Sequence, residues 1–318
     1  MKTVYLCNKA DNIKNVYGTD EQSYDKEYLL CNKEEFKDTE YIFSTWGMPV
    51  LTESEIKELL PCLKAVFYGA GSVQGFARPF LNLGIKVFSA WAANAVPVAE
   101  YTVAQIILAS KGFFKTMRYT DIKQAKETLQ NYTGNYGIKV GIIGAGMIGK
   151  LVLQMLKGYD IDLMVFDPFL PEECAMELCA KKADLETLFS ECTVVSNHLA
   201  NNEKTKGMLC GRLFEKMPPY STFLNTGRGA QVVESELIQT LKKRPDITAI
   251  LDVTAPEPPM VGSELYTLEN CILTPHIAGS IGKEVRRMGE YMKEEFCKFT
   301  HNQPCKYEVT LEMLETMA

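Results

Sequence analysis

Three short segments of the sequence each carry one side chain that could bind an acid or move a proton. "FLNTGRGA" places Arg228 between two glycines, "LDVTAPEPP" contains Glu257, and "LTPHIAG" contains His276. A guanidinium can hold a carboxylate through two parallel hydrogen bonds, and a histidine oriented by a carboxylate can exchange a proton near neutral pH. Taken singly, each is better explained as an arginine in a turn, a solvated acid in a loop or a histidine after a strand. Together they are the groups that acid–base chemistry on an anionic substrate needs.

The same three side chains each follow an apolar run that predicts a buried strand. The runs are "STFLNT", "TAILDV" and "CILTP". In open parallel sheets, ligands bind outside the carboxyl ends of the strands. We therefore expect the arginine, the glutamate and the histidine to lie at one edge of a sheet.

A glycine motif lies upstream, in "KVGIIGAGMIGKLVLQMLKGYDIDLMVFD". Gly144 would permit the tight turn after a strand, Gly146 would let the backbone approach a pyrophosphate, and Gly149 would let helix and strand pack closely. The following helix would offer free N–H groups to the phosphates and end near Gly158. Asp167, after the next strand, could bind the adenosine ribose and would repel a 2′-phosphate, which favours NAD over NADP.

Glycines at this spacing can also serve only a tight turn, so the motif alone indicates little. Here the strand, the helix, the second strand and the terminal acid follow in register, which favours dinucleotide binding. Apolar runs alternate with helical stretches through both halves of the chain, as in an α/β protein with two parallel sheets buried on both faces. The earlier runs are "KTVYLC", "EYIFST", "LKAVFYG" and "IKVFSA", and the later ones add "IDLMVFD" and "CTVVSNH".

Helix signals divide the chain into these two halves. Thr52 and Glu55 have the spacing of a capping box, which predicts a helix start. Apolar residues recur at helical spacing from Pro97 to Met117, which predicts a long amphipathic helix that joins two domains, with the proline in its first turn. A last helical stretch over 282–299 could return the chain to the first domain.

Composition excludes several classes of function. The chain has 318 residues and a net charge of −6, which provides no basic surface for nucleic acid. No apolar run approaches the roughly 20 residues of a membrane span, and the start turns polar too early for a signal peptide, so we expect a cytoplasmic protein without membrane contact. The 10 cysteines contain no CxxC pair, which favours buried reduced thiols over disulfides or a metal site.

On these motifs the chain resembles the D-isomer-specific 2-hydroxyacid dehydrogenase family, most strongly from "NAVPVAEYTV" to "TPHIAGS". The patterns "NTGRGA" and "LDVxxxEP" match, and the arginine, glutamate and histidine of the family match Arg228, Glu257 and His276. The resemblance implies an α/β fold of two doubly wound domains. A Rossmann-type NAD domain over 98–281 would be inserted into a discontinuous, flavodoxin-like substrate domain over 1–97 and 282–318. It also implies a homodimer joined through the long helix.

The resemblance implies a reaction as well. NADH would give hydride to the carbonyl carbon of a small 2-oxo acid, and the product would be a D-2-hydroxy acid. His276 as imidazolium would protonate the oxygen, while Glu257 hydrogen-bonds the other ring nitrogen and fixes the tautomer. Arg228 would hold the carboxylate of the substrate and polarise its carbonyl group.

Further positions carry over from the family by the match of its motifs. Backbone N–H groups of Met147 and Ile148 would bind the pyrophosphate, and Asp252 would contact the nicotinamide amide. His198 would form part of the wall of the cofactor site, as a strand-end ring with no proton to move. The other residues that would line the cofactor are Leu199, Ala200, Thr226, Gly227, Ala278 and Gly279.

In the substrate domain, "YGAGSVQGF" stands where the family has a glycine-rich loop. The amides of Ala70 and Gly71 would hold the substrate carboxylate. Trp46 and Met48 in "STWGMP" are candidates for shaping the substrate pocket, and core packing explains both equally well. The chain departs from the family at "VQ" over 73–74, where Asp-Asn is common, and at Ala200, where proline is common. These departures leave the substrate open.

Two alternatives remain. Relatives with this fold can be NAD-sensing binding proteins, such as corepressors, and the complete Arg–Glu–His set argues against that class. A formate- or phosphite-type dehydrogenase could use the same scaffold, although nothing in the sequence indicates so small a substrate.

Overall fold

The computed structural model describes residues 1–117 and 119–315. The chain divides into two compact units: a terminal unit of Met1–Asn94 with Ser280–Ala318, and a central unit of Ala95–Gly279. The boundaries expected from the sequence differ from these by three residues at the first crossing (97 against 94) and by two at the second (282 against 280). That the terminal unit takes the substrate stays a prediction.

Strands and helices alternate along most of the chain. The strands are β1 (Thr3–Leu6), β2 (Ser23–Tyr24), β3 (Tyr41–Ser44), β4 (Ala65–Tyr68), β5 (Lys86–Ser89), β6 (Ile138–Ile143), β7 (Ile161–Phe166), β8 (Ala180–Lys182), β9 (Val194–Asn197), β10 (Thr222–Asn225), β11 (Thr248–Leu251), β12 (Cys271–Leu273) and β13 (Glu308–Val309). The α-helices are α1 (Ala10–Tyr17), α2 (Lys26–Cys31), α3 (Glu53–Leu59), α4 (Ala77–Asn82), α5 (Trp91–Ser110), α6 (Phe113–Thr116), α7 (Ile122–Leu129), α8 (Met147–Leu156), α9 (Glu172–Glu177), α10 (Leu185–Glu191), α11 (Gly211–Phe214), α12 (Glu234–Lys243) and α13 (Val285–Thr300).

The terminal unit is built on a sheet of order β13-β5-β4-β3-β1-β2. All neighbouring strands pair in parallel except β13, which is antiparallel to β5 at the edge. Without that edge strand the order is the 2-1-3-4-5 of flavodoxin-like folds. Every residue of β3 and β4 is buried, because helices cover both faces of a parallel sheet.

The central unit contains a wholly parallel sheet of order β12-β11-β10-β9-β6-β7-β8. Counted from β6, this is the Rossmann order with one further strand, β12, at its edge. The order reverses between β6 and β9, and dinucleotides bind at such a switch point, at the carboxyl ends of the strands. The α/β fold class with two doubly wound parallel sheets is therefore confirmed.

The last long helix, α13, belongs to the terminal unit. Phe296 packs edge-on against Phe67 of β4, with ring centroids 5.3 Å apart. Gly289 lets α13 approach α1 closely, since a Cβ there would lie 2.1 Å from the carbonyl oxygen of Val16. The helical stretch expected over 282–299 is thus present, although its first turn, Gly282–Glu284, is a 3-10 helix.

The prediction of a helix from Pro97 to Met117 is wrong at both ends. The helix α5 begins at Trp91, and its first hydrogen bond runs from the amide of Asn94 to the carbonyl of Ala90. Pro97 therefore lies inside the helix, where it removes one backbone donor from a long, otherwise apolar element. The helix stops before Gly112, whose φ of 69° is left-handed, and the short helix α6 follows.

The apolar length of α5 also corrects the expectation that no segment approaches the length of a membrane span. Trp91–Ser110 has 20 residues and contains an 18-residue window with a mean hydropathy of 1.2, which is enough by length and composition to cross a membrane. Within the protein, 56% of this window is buried. Core helices of soluble proteins also reach this length and hydropathy.

Local signals elsewhere were mostly accurate. The capping box is present, because Thr52 accepts from the amide of Glu55 and the Glu55 side chain accepts from the amide of Thr52. Helix α8 ends at Leu156, two residues before Gly158. All the cysteines are free, but most are not buried: Cys31, Cys62, Cys179 and Cys297 are exposed, and Cys174, Cys210 and Cys305 are partly exposed.

Candidate active site

The glycine motif forms the turn between β6 and α8. Gly144 has a φ of 88°, and a Cβ there would lie 2.8 Å from the carbonyl oxygen of His198. A Cβ on Gly149 would lie 2.0 Å from the carbonyl oxygen of Gly144. Gly146 has no atom within 4 Å of such a Cβ, so its backbone is open to a ligand. Two of these glycines are needed for packing and the third leaves room for a bound group.

The start of α8 offers free backbone donors. Gly146 is the N-cap, and no side chain in the described part of the chain caps the helix there. The first amide to bond inside the helix is that of Lys150, which donates to the carbonyl of Gly146. The N–H groups of Met147 and Ile148 precede it, at the positive end of the helix dipole. This arrangement fits the pyrophosphate of a dinucleotide.

Asp167 follows β7 and reaches back to the glycine turn. One carboxylate oxygen, Oδ2, accepts from the amide of Ala145 at 2.7 Å, and Oδ1 accepts from the amide of Phe169 at 2.8 Å. Each oxygen keeps a lone pair that a ribose hydroxyl could use. The acid therefore also holds the glycine turn in place, a role that the sequence did not indicate.

Arg228 lies in the loop after β10. Its Nη1 donates to the carbonyl of Gly227 at 2.8 Å. Burial lowers the pKa of Arg228, and the charge of Glu257 opposes that shift. A Cβ on Gly229 would lie 1.9 Å from the carbonyl carbon of Thr254, so the arginine loop packs directly on the backbone of the loop that leads to Glu257.

Asp252, after β11, organises the turn that carries His276. The carboxylate is 2% exposed and accepts from the Thr274 hydroxyl at 2.6 Å, the Ile277 amide at 2.8 Å and the Ala278 amide at 3.0 Å. These donors lie on both sides of His276, whose φ of 55° is left-handed. Asp252 therefore fixes the backbone around the histidine. Its predicted contact with a nicotinamide stays a prediction.

His276 and Glu257 form a hydrogen-bonded pair. Nδ1 of His276 lies 2.6 Å from Oε1 of Glu257, and the two side chains are 48% and 43% exposed. Because a carboxylate accepts, Nδ1 carries the hydrogen, and the neutral ring keeps its lone pair on Nε2. Nε2, on the opposite edge of the ring, is therefore the atom that can take up or release a proton.

His198 has a different environment. The ring is buried, with Nε2 2.9 Å from Oγ of Ser196 and Nδ1 3.2 Å from Oγ1 of Thr226. Burial lowers the pKa of His198 to about 3. A ring with that pKa stays neutral near pH 7 and has no proton to give, so it could only line a site. The cofactor contacts proposed for residues 198–200 and for Thr226 stay predictions.

In the terminal unit, Ala70 and Gly71 follow β4. Their carbonyl oxygens accept from the Ser89 hydroxyl at 2.9 and 2.6 Å, which holds the loop. Among the described residues, neither amide N–H is engaged in a hydrogen bond, which suits a loop that binds an anion. Val73, where the family commonly has aspartate, is 1% exposed and packs in the core.

The two side chains considered for substrate shape differ in burial. Met48 is 7% exposed and belongs to the core of the terminal unit. Trp46 is 41% exposed, and its carbonyl oxygen accepts from the side-chain amide of Asn12 at 2.7 Å. Met48 thus packs in the core, and Trp46 has a surface that a ligand could contact; a role of either side chain in shaping the substrate site stays a prediction.

The family of this chain follows from a comparison of its sequence with known proteins. Residues 103–278, more than half of the chain, match the sequence model described as "D-isomer specific 2-hydroxyacid dehydrogenase, NAD binding domain". The chain belongs to this family. The matched segment lies inside the central unit of Ala95–Gly279. That unit is therefore the NAD-binding domain of a family of oxidoreductases, and the predicted cofactor, NAD, is confirmed.

Curated relatives differ in name and in length. The chain is 29% identical to a D-3-phosphoglycerate dehydrogenase of Archaeoglobus fulgidus over 73% of its length and 33% identical to the putative 2-hydroxyacid dehydrogenase YoaD of Bacillus subtilis over 62%. It spans about half of these two relatives, 44% and 58% of their lengths. A hydroxypyruvate reductase of Thermotoga maritima is 27% identical, over 85% of this chain and 93% of that protein.

The fold is shared with solved structures. The NAD-complexed form of a D-isomer specific 2-hydroxyacid dehydrogenase from Lactobacillus delbrueckii ssp. bulgaricus has a TM-score of 0.80 at 18% identity, over 98% of this chain and all of that one. At this identity the similarity establishes the fold alone.

Proposed function

We propose that this protein is an NAD-dependent dehydrogenase that interconverts a small 2-oxo acid and a D-2-hydroxy acid. The observation that supports this most directly is the 2.6 Å contact between Nδ1 of His276 and Oε1 of Glu257. The pair follows β11 and β12, at the edge of the sheet where the glycine turn and Arg228 also lie. A proton donor, an anion-binding cation and a dinucleotide turn at one edge are the parts that such a reaction requires.

In the reduction, bound NADH supplies the hydride that reaches the carbonyl carbon. Arg228 holds the substrate carboxylate and stabilises the charge that develops on the carbonyl oxygen. His276, as imidazolium, gives its Nε2 proton to that oxygen and is left neutral. Glu257 accepts from Nδ1 and stabilises the imidazolium before the transfer. In the oxidation, neutral His276 takes the hydroxyl proton through the same nitrogen.

The residues that would hold NAD follow the carboxyl ends of six strands. The amides of Met147 and Ile148 would bind the pyrophosphate, and Asp167 would bind the ribose. Asp252 would contact the nicotinamide amide. The remaining proposed cofactor contacts are Gly144, Gly146, Gly149, His198, Leu199, Ala200, Thr226, Gly227, Ala278 and Gly279.

In the terminal unit, Ala70 and Gly71 are the proposed donors to the substrate carboxylate, and Trp46 is the side chain proposed to shape the substrate site. The cytoplasmic location and the homodimer stay predictions.

The test is the oxidation of NADH in the presence of pyruvate, glyoxylate, hydroxypyruvate and longer branched 2-oxo acids, with NADPH in parallel. The proposal predicts turnover of at least one 2-oxo acid with NADH. If NADH binds and no member of the panel is turned over, the result would favour an NAD-sensing binding protein on this fold. Turnover of formate alone would favour the formate-type alternative.

A further inference from the structure

Three buried side-chain amides connect the loop that carries Arg228 to the loop after β9. Asn197 and Asn225 end the neighbouring strands β9 and β10 and are paired in register. Gln231 ends the 3-10 turn Gly229–Gln231 that follows Arg228. The three side chains are 0%, 1% and 0% exposed, in that order. No role in the reaction proposed above has been given to them.

Gln231 lies between the two loops and bonds to both. Its Oε1 accepts from the amide of Arg228 at 3.1 Å and from Nδ2 of Asn197 at 2.6 Å. Its Nε2 donates to the carbonyl oxygens of Leu199 at 2.8 Å and Ala200 at 3.0 Å. A backbone N–H can only donate and a backbone carbonyl can only accept, so these contacts fix the orientation of the amide.

The two asparagines complete the network in the same way. Asn197 accepts from the amide of Leu199 at 3.2 Å and donates to Oδ1 of Asn225 at 2.9 Å. Asn225 accepts from the amide of Gly227 at 3.1 Å and donates to the carbonyl of Arg228 at 3.2 Å. Both backbone polar groups of Arg228 are therefore held by buried amides.

Gly227 shows how closely this network is packed. A Cβ at that position would lie 2.8 Å from Oε1 of Gln231 and 2.9 Å from Nδ2 of Asn197. The first glycine of "TGRG" is thus required by the amides beneath it, just as the second, Gly229, is required by the close approach of Thr254.

We propose that Gln231, together with Asn197, is a positioning residue that holds Arg228 and the 198–200 loop in one fixed geometry. The inference rests on the proposed function, in which Arg228 binds the substrate and the loop lines the cofactor site. Gln231 would touch neither the substrate nor the cofactor. It would act by holding backbone N–H and C=O groups of both loops. A buried backbone group that loses its hydrogen bond costs free energy, so the two loops cannot shift independently.

Gln231→Met tests this, because methionine keeps the length of the side chain and removes all four hydrogen bonds. We expect the dissociation constant of NADH and the KM of the 2-oxo acid each to rise about tenfold, the order expected from losing one or two net hydrogen bonds. The fall in kcat should be smaller, since the groups that transfer the proton are unchanged.

The matched control is Asn270→Leu. Asn270 is 5% exposed in the same unit, and its Nδ2 donates to the carbonyl oxygens of Leu241, Arg244 and Ile247 at 3.1, 3.1 and 3.0 Å. It precedes β12, at the end of the sheet away from the site. Its loss should lower the melting temperature about as much as Gln231→Met does and leave the two constants unchanged.

A second variant, Gln231→Glu, keeps the volume and an oxygen that faces the amide of Arg228. It replaces the donor to Leu199 and Ala200 by an oxygen that faces two carbonyl oxygens. NADH binding should therefore weaken more than binding of the 2-oxo acid. This variant also provides the test if Gln231→Met does not fold.

Unchanged constants in both Gln231 variants, or an equal change in Asn270→Leu, would overturn the proposal. Failure of the proposed function is distinguishable from this result. If the wild type reduces no 2-oxo acid, the dissociation constants of NADH for the wild type and the variants still show whether the network holds the cofactor loop.

Discussion

Oε1 of Glu257 lies 2.6 Å from Nδ1 of His276, across 19 positions of sequence. The two residues follow β11 and β12, which are neighbours in the parallel sheet, so their loops leave the sheet side by side. The contact gives the imidazole ring one defined tautomer and a negative charge next to its protonated form. Its consequence is that Glu257 sets the orientation of the ring and leaves Nε2 as the free nitrogen.

Glu257→Gln should slow the reduction. Glutamine keeps the size of the side chain but removes the carboxylate that accepts from Nδ1 of His276, so the ring is no longer held in one tautomer and the imidazolium loses its counter-charge. A hydrogen bond to a charged group is worth about 1.5–3 kcal/mol, so kcat should fall roughly 10- to 100-fold, while the dissociation constant of NADH should change little. Glu264→Gln, which changes an exposed acid paired with Lys242, is the control. An unchanged kcat in Glu257→Gln would exclude the assigned role.

Arg228→Lys should weaken the binding of the 2-oxo acid. Lysine keeps the positive charge but cannot offer two parallel donors to a carboxylate. A hydrogen bond to a charged group is worth about 1.5–3 kcal/mol, so the KM should rise roughly 10- to 100-fold. Binding of NADH should change little. Arg212→Lys, at an arginine that is 71% exposed and paired with Glu186, is the control and should behave as the wild type. A normal KM in Arg228→Lys would contradict the role of Arg228.

Asp167→Ser should relax the choice of cofactor. The wild type should prefer NADH to NADPH by at least about fivefold, because a carboxylate a few ångströms from a 2′-phosphate costs about 1 kcal/mol or more. Serine removes that charge, but it also removes the acceptors for the amides of Ala145 and Phe169, so affinity for NADH should fall as well. Dissociation constants for both cofactors measure the change. Asp162→Ser, at an exposed acid in the amino half of β7, is the control. Equal use of both cofactors by the wild type would contradict the prediction.

The burial of His198 predicts a loss of stability in mild acid. Its pKa is about 3 in the folded protein against an ordinary value of 6.5. Between these values the unfolded chain binds a proton that the folded chain does not, so the free energy of unfolding falls as pH falls. From pH 7.5 to 5 this contribution amounts to about 2 kcal/mol. Urea unfolding at both pH values should show a smaller loss for His198→Gln than for the wild type. Equal losses would mean that the ring is not held neutral.

Much of the fold could be predicted because its strands are continuous apolar runs. All nine apolar runs quoted above are strands, and so is the run that leads into the glycine motif. Asp252 and His276 lie in the loops that follow two of these strands. The strands β2, β8 and β13 were missed, because two or three residues show no periodicity. The start of α5 was also missed, because a proline usually marks the first turn of a helix and Pro97 lies inside this one.

The motifs were enough to predict that the acid–base residues and the glycine turn lie at one edge of the sheet, because parallel strands align their carboxyl ends. The motifs could not reveal the hydrogen-bond network under Arg228. Asn197 and Gln231 are 34 positions apart, and each alone is an ordinary polar residue. Their contact depends on the register of β9 with β10 and on the 3-10 turn after Arg228. The same holds for Asp167, whose bond to the amide of Ala145 crosses from one strand end to the next.

The most direct test of His276 as the proton donor is the turnover of NADH with the best 2-oxo acid of the panel, compared between the wild type and His276→Gln. General acid–base groups contribute about 10²–10⁴-fold, and the glutamine side chain cannot deliver a proton. We expect kcat to fall by that order while the dissociation constant of NADH stays within about twofold of the wild type. Near-full turnover by His276→Gln would contradict this role.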